Sequence, residues 1–362
     1  MRKYIVIFLF SGFYIATYSQ VIKGTVLDEA TESPIWYASV YFNGTFVGTT
    51  SDEHGHFALD ISKNASMPIS ISAIGYYSIT LSEVSPDKPF TVYLAPKVYE
   101  LSEVVITARP YSRERKANLK IFKDEFLGTT SNALKCEILN ENDITFNVGA
   151  YDDTLKAFAS KPLLIYNRAL GYKITYYLDK FEYYKKSTSF LYKGSIIFKE
   201  DLAAYETQQM SLERRRRFTY LGSRTHFFRA LWANDIRSGG FAIRSSQNVI
   251  LSYDDIVIEE DNQKKFLTYK ENLVIYHYTK LGSSYVVFLK DLVYFDSNGY
   301  FDPSGISWEG EMARQRIADW LPYEYSIREN SPEKRPVFLV TSGDPDRPGI
   351  IKLSKGSKRA IF

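Results

Sequence analysis

Cysteine is nearly absent from this chain of 362 residues, which contains only Cys136. An internal disulfide needs two cysteines, so the fold must be held by buried apolar area, which a chain of this length can supply. Cys136 lies in the segment Leu134–Leu139, and we interpret it as a small core residue rather than a nucleophile. Methionine and tryptophan are also scarce, with 4 of each beside 29 Tyr and 24 Phe. Tyrosine and phenylalanine favour half-buried sheet surfaces, so this composition indicates a fold rich in strands.

Long hydrophobic runs are missing after residue 20. Before it, Arg2 and Lys3 precede an apolar run, Tyr4–Ala16, and small residues lead up to Ser19. This pattern predicts a signal peptide over residues 1–19, removed on export. An uncleaved membrane anchor is the alternative, but the run is shorter than the roughly 20 residues that a span requires. The mature chain is therefore expected in the periplasm or at the outer membrane, with no transmembrane span.

An excess of one charge is also lacking, because the net charge is only +3. The distribution is uneven: residues 20–108 contain 4 Lys and no Arg against 10 Asp and Glu, whereas the part after residue 108 is basic. The change of sign predicts a domain boundary near Ala108. The basic excess is too small to indicate a nucleic-acid partner. An acidic envelope polymer or an anionic lipid surface stays open as a partner.

Short apolar runs separated by turn residues fill the segment from residue 21 to residue 107. The predicted strands include Val21–Leu27, Ala38–Phe42, Phe57–Ile61, Ile69–Ile74 and Phe90–Leu94. Strands at this spacing, separated by Gly, Asp and Asn, are typical of an all-β sandwich.

Several motifs in this segment narrow the type of sandwich. They are Gly24-Thr-Val, Ala38-Ser-Val, the turn Gly48–Phe57, Ala73-Ile-Gly75-Tyr76 and Leu101–Ala108. Together they resemble the carboxypeptidase-like regulatory domain. The resemblance implies a transthyretin-like (prealbumin-like) β-sandwich over residues 20–108. Such domains often precede others in envelope proteins of Bacteroidetes, including TonB-dependent outer-membrane receptors.

The family name does not imply peptidase chemistry here. A zinc carboxypeptidase needs two His and one Glu on one metal, with an open position for water. The chain has four histidines, His54, His56, His226 and His277, and none begins a His-x-x-Glu pair. A weak metal site at His54 and His56 stays open beside solvated surface histidines. No phosphate-binding Gly loop and no G-x-S-x-G turn is present, so no cofactor is expected.

The larger C-terminal part predicts a mainly-β α+β domain over residues 129–362. Residues 109–128 are predicted to be a linker helix, with the helix itself over Arg113–Leu127. Strands dominate beyond it, for example over Tyr172–Phe181 and Phe190–Phe198. Two further helices are predicted, over Met210–Leu231 with a break at Gly222, and over Met312–Leu321. The overall prediction is multi-domain, an N-terminal sandwich followed by this α+β domain.

This part also resembles a known architecture. The matching motifs are Phe126–Gly128, Cys136–Asn140, Asn167–Lys173 and Tyr220–Leu231. They are similar to an uncharacterised C-terminal domain that follows the same sandwich in Bacteroidetes proteins. That resemblance implies an architecture and no activity.

The densest polar cluster supplies the candidate binding residues. Its candidates for an anion or ligand are Arg214, Arg217, Arg224, His226 and Arg229. Arginine forks match carboxylate and phosphate groups, which favours an anionic ligand. The alternative is a solvated, salt-bridged helix face that packs through its Phe and Leu residues. No catalytic set is predicted.

Two functions stay open at this point. The first is a non-catalytic envelope protein whose sandwich binds a periplasmic or outer-membrane protein, or an envelope glycan, while the C-terminal domain acts as a scaffold or holds a ligand. The second is a hydrolase of envelope peptides or glycans, with its site near Arg224, His226 and neighbouring carboxylates. Paired acids such as Asp179 and Glu182 cannot be placed across a sugar bond from sequence alone.

Overall fold

The strands and helices fall into three groups, and each group has its own buried core. The computed structural model describes residues 20–82, 84–86, 88–97, 112–149, 153–260 and 264–327. The predicted signal peptide and the predicted boundary at Ala108 lie outside the described residues. The described residues as far as Tyr325 belong to one compact unit, and Ser326 and Ile327 belong to a second. None of the helices in the described ranges has the length and apolar character needed to cross a membrane.

The N-terminal group is a two-sheet sandwich, as predicted. Its strands are β1 (Val21–Asp28), β2 (Ser39–Phe42), β3 (Gly48–Thr50), β4 (His56–Asp60), β5 (Ile69–Ser72), β6 (Ile79–Leu81) and β7 (Phe90–Leu94). One sheet has the order β4-β1-β7, with β1 and β7 parallel, and the other has the order β3-β2-β5-β6. Alternation sets the core: β4 buries Phe57 and Leu59 and exposes the residues between and beside them.

The second group wraps one helix in a six-stranded antiparallel sheet. Its elements are α1 (Arg113–Phe126), β8 (Cys136–Ile138), β9 (Ile144–Val148), β10 (Thr154–Ala159), β11 (Leu163–Asn167), β12 (Tyr172–Tyr184) and β13 (Ser189–Glu200). β12 and β13 form a long hairpin, and the other edge of β12 pairs with β11 and then with β10. The helix predicted at Arg113 is confirmed. Its Phe122 and Phe126 stack at 4.9 Å and fill the core against the sheet.

The third group packs the second of its two helices against two small sheets, and the first helix contacts the second group through Leu212, Arg215 and Arg216. Its elements are α2 (Leu202–Tyr220), α3 (Arg224–Trp232), β14 (Phe241–Ser245), β15 (Val257–Glu259), β16 (Lys265–Leu267), β17 (Leu273–His277), β18 (Ser284–Phe288), β19 (Val293–Phe295) and β20 (Ile306–Gly310). The sheets have the orders β14-β17-β18-β20 and β15-β16-β19. The predicted break at Gly222 is confirmed, with φ 73° there and Ser223 capping α3. α2 begins at Leu202, before the predicted Met210, but its backbone leaves the helical region at Gln208 (φ −129°, ψ 18°), so the part after this kink begins close to the predicted residue.

A closing segment, residues 312–325, connects the three cores. Met312 lies in the third core, Ile317 in the second, and Tyr323 packs against the core of the sandwich. The helix predicted over Met312–Leu321 is wrong. The structure has two 3-10 turns, Met312–Arg314 and Ile317–Asp319, with extended backbone between them. A helix advances only 1.5 Å per residue, so extended backbone is what lets so short a segment reach separate cores.

Candidate functional site

The five residues of the predicted anion site lie in different surroundings. Arg214 and Arg217 are on α2, where Arg214 is exposed and Arg217 is half-buried. Arg224, His226 and Arg229 are on α3, beyond the break at Gly222. α3 carries them because Ser223 caps its first turn by accepting the N–H of His226 at 3.1 Å.

Arg229 is hydrogen-bonded to three backbone carbonyls. Its Nε donates to the Asn298 carbonyl at 2.9 Å, and Nη1 donates to the Tyr325 carbonyl at 2.7 Å. Nη2 donates to the Tyr323 carbonyl at 2.5 Å. The guanidinium also lies 5.5 Å from the centre of the Tyr220 ring. Arg229 therefore fastens α3 to the closing segment, and its planar fork is engaged by protein groups.

Arg224 makes the same kind of connection. Its Nη2 donates to the Gln315 carbonyl at 2.9 Å, and its guanidinium lies 5.6 Å from the centre of the Trp320 ring. Burial lowers the pKa of Arg224 from its usual value. The closing segment can accept these bonds because its carbonyls are not all engaged in a helix of their own. Arg224 and Arg229, which were predicted to bind an anion, thus donate to backbone carbonyls instead.

The two histidines of the third group are in contact, with His277 buried and His226 half-buried. The rings of His226 and His277 lie 5.3 Å apart in an edge-to-face arrangement. Nδ1 of His226 accepts the Gly222 N–H at 3.2 Å. Nε2 of His277 lies 3.1 Å from the Gly239 carbonyl, which can only accept, so this nitrogen carries the proton. Nδ1 of His277 accordingly accepts from Thr279. Burial lowers the pKa of His226 to about 3 and that of His277 to about 4.

The structure adds an arginine that the sequence interpretation did not select. Arg216 is only 3% exposed, and its Nη1 lies 2.7 Å from a Glu200 carboxylate oxygen and 3.3 Å from one of Glu213. Its Nε donates to the Leu170 carbonyl at 2.8 Å, and the guanidinium lies 4.1 Å from the centre of the Tyr172 ring. The spacing of Glu213 and Arg216 was the available indication, since residues three apart share a helix face. Four consecutive arginines concealed which one is buried.

Asp319 is a buried acidic residue of the closing segment. Its carboxylate accepts from the Asn132 side chain at 2.8 Å and from the Thr130 hydroxyl at 3.0 Å. Burial raises the pKa of Asp319, and these hydrogen bonds work in the opposite direction. The side chain therefore attaches the closing segment to the loop after α1.

The acids named in the sequence also have local partners. Asp179 lies 3.7 Å from the Lys97 ammonium, and Glu182 accepts from the Tyr184 hydroxyl at 2.7 Å. His56 Nδ1 lies 3.0 Å from the Thr25 hydroxyl, and the rings of His54 and His56 are 6.2 Å apart. Within the described ranges there is no group of three or more His, Cys, Asp or Glu side chains that could hold a metal ion.

The sandwich is joined to the second group through the outer face of its sheet β3-β2-β5-β6. We call this surface the docked face; its members are Ser39, Tyr41, Ser70 and Ser72. The Tyr41 hydroxyl donates to Ser195 Oγ at 2.6 Å, and the hydroxyls of Ser39 and Tyr177 lie 2.8 Å apart. Tyr41, Ser70 and Ser72 are completely buried. Hydroxyl pairs therefore replace the water that such a face would otherwise bind.

Backbone hydrogen bonds reinforce this junction at the turn after β2. The Gly44 N–H donates to the Ile196 carbonyl at 2.9 Å, and the Gly44 carbonyl accepts from the Tyr323 N–H at 2.9 Å. The Phe198 N–H donates to the Thr45 carbonyl at 3.1 Å. A Cβ at Gly44 would lie 2.8 Å from the Tyr323 ring, so glycine permits the closing segment to approach this closely. The sandwich thus contacts both the hairpin β12–β13 and the closing segment.

Residues 22–106 match the family model of the CarboxypepD_reg-like domain. The N-terminal sandwich is therefore a domain of this type, as the sequence motifs predicted. The match ends before α1, so it does not characterise the C-terminal part. No curated protein matches this chain.

Two solved structures show only a distant likeness. A 9R-lipoxygenase from Cyanothece PCC8801 is 10% identical, with a TM-score of 0.18, over 59% of this chain and 48% of that chain. A protein of unknown function from Bacteroides fragilis NCTC 9343 is 12% identical, with a TM-score of 0.17, over 78% of this chain and 91% of that chain. This chain thus spans about half the length of the lipoxygenase. Neither likeness is strong enough to carry an argument about fold or function.

Proposed function

We propose that this chain is a non-catalytic protein of the cell envelope, in which the N-terminal sandwich binds a partner and the C-terminal part is the scaffold that holds it. The supporting observation is the engagement of the candidate polar residues. Arg224 and Arg229 donate to carbonyls of the closing segment, and the buried Arg216 lies against two carboxylates. These groups fix the scaffold, and a CarboxypepD_reg-like domain is consistent with a binding module.

The histidines support the same conclusion. A general acid or base works best when its pKa lies near the operating pH. The pKa of His226 is lowered to about 3 and that of His277 to about 4, so both are neutral at pH 7 and poor proton acceptors. Their nitrogens bond to Gly222, Gly239 and Thr279, which fixes the turns around α3 and β17. We assign them a structural role.

The proposed address rests on the first nineteen residues of the sequence. The positive start at Arg2 and Lys3, the apolar run and the small residues before Gln20 favour export and cleavage after Ser19. Fractionation of cells that produce the full chain, with mass spectrometry of the N-terminus, tests this. We expect an envelope or periplasmic product that begins at Gln20. A cytoplasmic product that keeps residues 1–19 would contradict the address.

A turnover screen tests the non-catalytic role. The purified protein is incubated with envelope peptides and glycans beside His226→Gln, and Arg214→Met serves as a matched control on the exposed face of α2. We expect no turnover by any of the three. Turnover that Arg214→Met retains and His226→Gln loses would overturn the proposal and favour the hydrolase, with His226 in its site.

A further inference from the structure

The sandwich exposes two neighbouring aromatic side chains away from its docked contacts. Trp36 and Tyr37, which we call the aromatic pair, lie in the loop between β1 and β2 and are 56% and 65% exposed. Their rings stack with centres 4.6 Å apart and planes 16° apart. Single exposed aromatics are common on protein surfaces, but two stacked rings that are both more than half exposed present a concentrated π surface.

A buried serine holds the loop that carries the aromatic pair. Ser51 is only 2% exposed, and its hydroxyl donates to the Ile35 carbonyl at 2.6 Å and accepts the Ala38 N–H at 2.8 Å. The Ser51 carbonyl accepts the Tyr37 N–H at 3.2 Å. The backbone on both sides of the pair is therefore held by Ser51, the residue that follows β3. A fixed pair loses less conformational freedom on binding than a mobile one would.

The backbone of Tyr37 is in the left-handed region, with φ 57°. A residue with a Cβ adopts this conformation at a steric cost, and glycine would adopt it without one. Such strain persists where surrounding structure enforces it, as Ser51 does here, and it is concentrated at functional sites. Keeping a tyrosine at this position is consistent with a role for its exposed ring.

The sequence around the aromatic pair carries charge of one sign. Residues 24–62 contain six Asp and Glu and no Lys or Arg. Glu29 and Glu32 are exposed in the same loop as the pair, and Glu53 is exposed close after Ser51. No salt bridge of Glu29 or Glu32 is present among the residues that the structure describes. The loop that carries the exposed rings is therefore acidic.

We propose that the aromatic pair binds a cationic peptide segment that carries arginine or lysine. A guanidinium or ammonium over the face of a Trp or Tyr ring is attracted by the ring's negative face, and arginine also stacks on it. The nearby carboxylates add charge-assisted hydrogen bonds and steer a positive partner towards the rings. This inference rests on the proposed binding role of the sandwich and names the chemistry of its partner.

Titration of the purified protein with labelled hexa-arginine, hexa-lysine and hexaglutamate tests the proposal by fluorescence anisotropy. We expect saturable binding of hexa-arginine, weaker binding of hexa-lysine and none of hexaglutamate. Trp36→Ala and Tyr37→Ala should each raise the Kd for hexa-arginine about tenfold, which is the factor for about 1.4 kcal/mol. Trp36→Phe should stay within about threefold, because it keeps a ring. Tyr276→Ala removes a ring that is 43% exposed on β17 and should change nothing.

Glu32→Gln tests the charge without removing a ring. We expect it to raise the Kd about threefold in low salt and to reduce the salt dependence of binding. Unchanged affinity in Trp36→Ala and Glu32→Gln would overturn the proposal, because the cation would then bind elsewhere. Failure of the wild type to bind either cationic peptide would overturn it as well. Binding of a neutral chito-oligosaccharide alone, lost in Trp36→Ala, would exclude the cationic partner and leave the binding role of the sandwich standing.

Discussion

The docked face and the aromatic pair belong to one small domain and reverse the usual relation between polarity and burial. The docked face consists of serine and tyrosine hydroxyls and is buried, whereas the aromatic pair is more than half exposed. Burying a hydroxyl costs little when it finds a partner, as Tyr41 does at Ser195. Contacts between domains are commonly polar for this reason. Exposed aromatic area carries no such compensation, which is why it points to a partner outside the chain.

The largest expected loss of stability in this comparison comes from truncating Tyr41. Tyr41→Ala removes a completely buried ring and its hydrogen bond to Ser195, so we expect the free energy of unfolding to fall by about 4 kcal/mol. Trp36→Ala removes a larger ring from the exposed loop and should change it by less than about 0.5 kcal/mol. Urea denaturation measures both. An equal loss in the two variants would mean that the aromatic pair is part of the fold's own packing.

The same contrast exists between two arginines of the helices. Arg229→Met would leave the carbonyls of Asn298, Tyr323 and Tyr325 without their donor, and we expect a loss of about 3 kcal/mol. Arg214→Met changes an exposed side chain and should cost about 0.5 kcal/mol or less. Thermal unfolding of both variants at one pH checks this. A stable Arg229→Met protein would contradict the structural role and restore Arg229 as a candidate ligand-binding residue.

Acidification sharpens the comparison between buried and exposed histidines. The folded-state pKa values of His226 and His277 are lowered to about 3 and about 4 from the ordinary 6.5, so the unfolded chain takes up protons that the folded chain cannot. Stability is therefore fully present above pH 6.5 and falls as the pH drops below it. Between pH 7 and pH 5 we expect a loss of about 4 kcal/mol, of which each histidine contributes about 2 kcal/mol.

His226→Gln provides the control for this pH dependence. It removes one titrating group and keeps an acceptor for the Gly222 N–H, so the loss between pH 7 and pH 5 should shrink by about half. His54→Gln, a change at an exposed histidine, is the matched control substitution. Equal pH profiles for the wild type and His226→Gln would refute the assignment of a neutral His226.

The sequence predicted the sandwich well because its strands are short and separated by Gly and Asp turns, and because some of them, such as β4, alternate strictly between exposed and buried residues. It also predicted the break at Gly222, because a backbone with φ 73° favours glycine. It failed for Met312–Leu321, where an apolar period resembled a helix although Met312 and Ile317 pack into different cores. The spacing of apolar residues indicates which of them are buried, but it does not show which core buries each one.

The candidate site was less predictable than the fold for a related reason. The run of four arginines marked α2 as charged, but only tertiary structure decides that Arg216 is buried while Arg214 is exposed. Similarly, the loop around Trp36 contained no sequence motif of binding. The loop that carries its stacked rings is held by Ser51, which directly follows β3 and lies beside Ala38 in space. Contacts between residues distant in sequence determine both sites.

The smallest expected effect concerns Tyr37→Gly, which tests whether the strained backbone at Tyr37 serves binding. Tyr37→Gly removes the steric cost of φ 57°, and we expect the protein to become about 0.5 kcal/mol more stable, because relief of strain exceeds the extra chain entropy that glycine brings to the unfolded state. The same variant should lose affinity for hexa-arginine, since the ring is gone. Urea denaturation and the anisotropy titration measure the two quantities on one sample. Higher stability together with weaker binding would identify Tyr37 as a residue kept for contact at the expense of stability. Lower stability would mean instead that the ring packs against the loop and that its exposure has no functional significance.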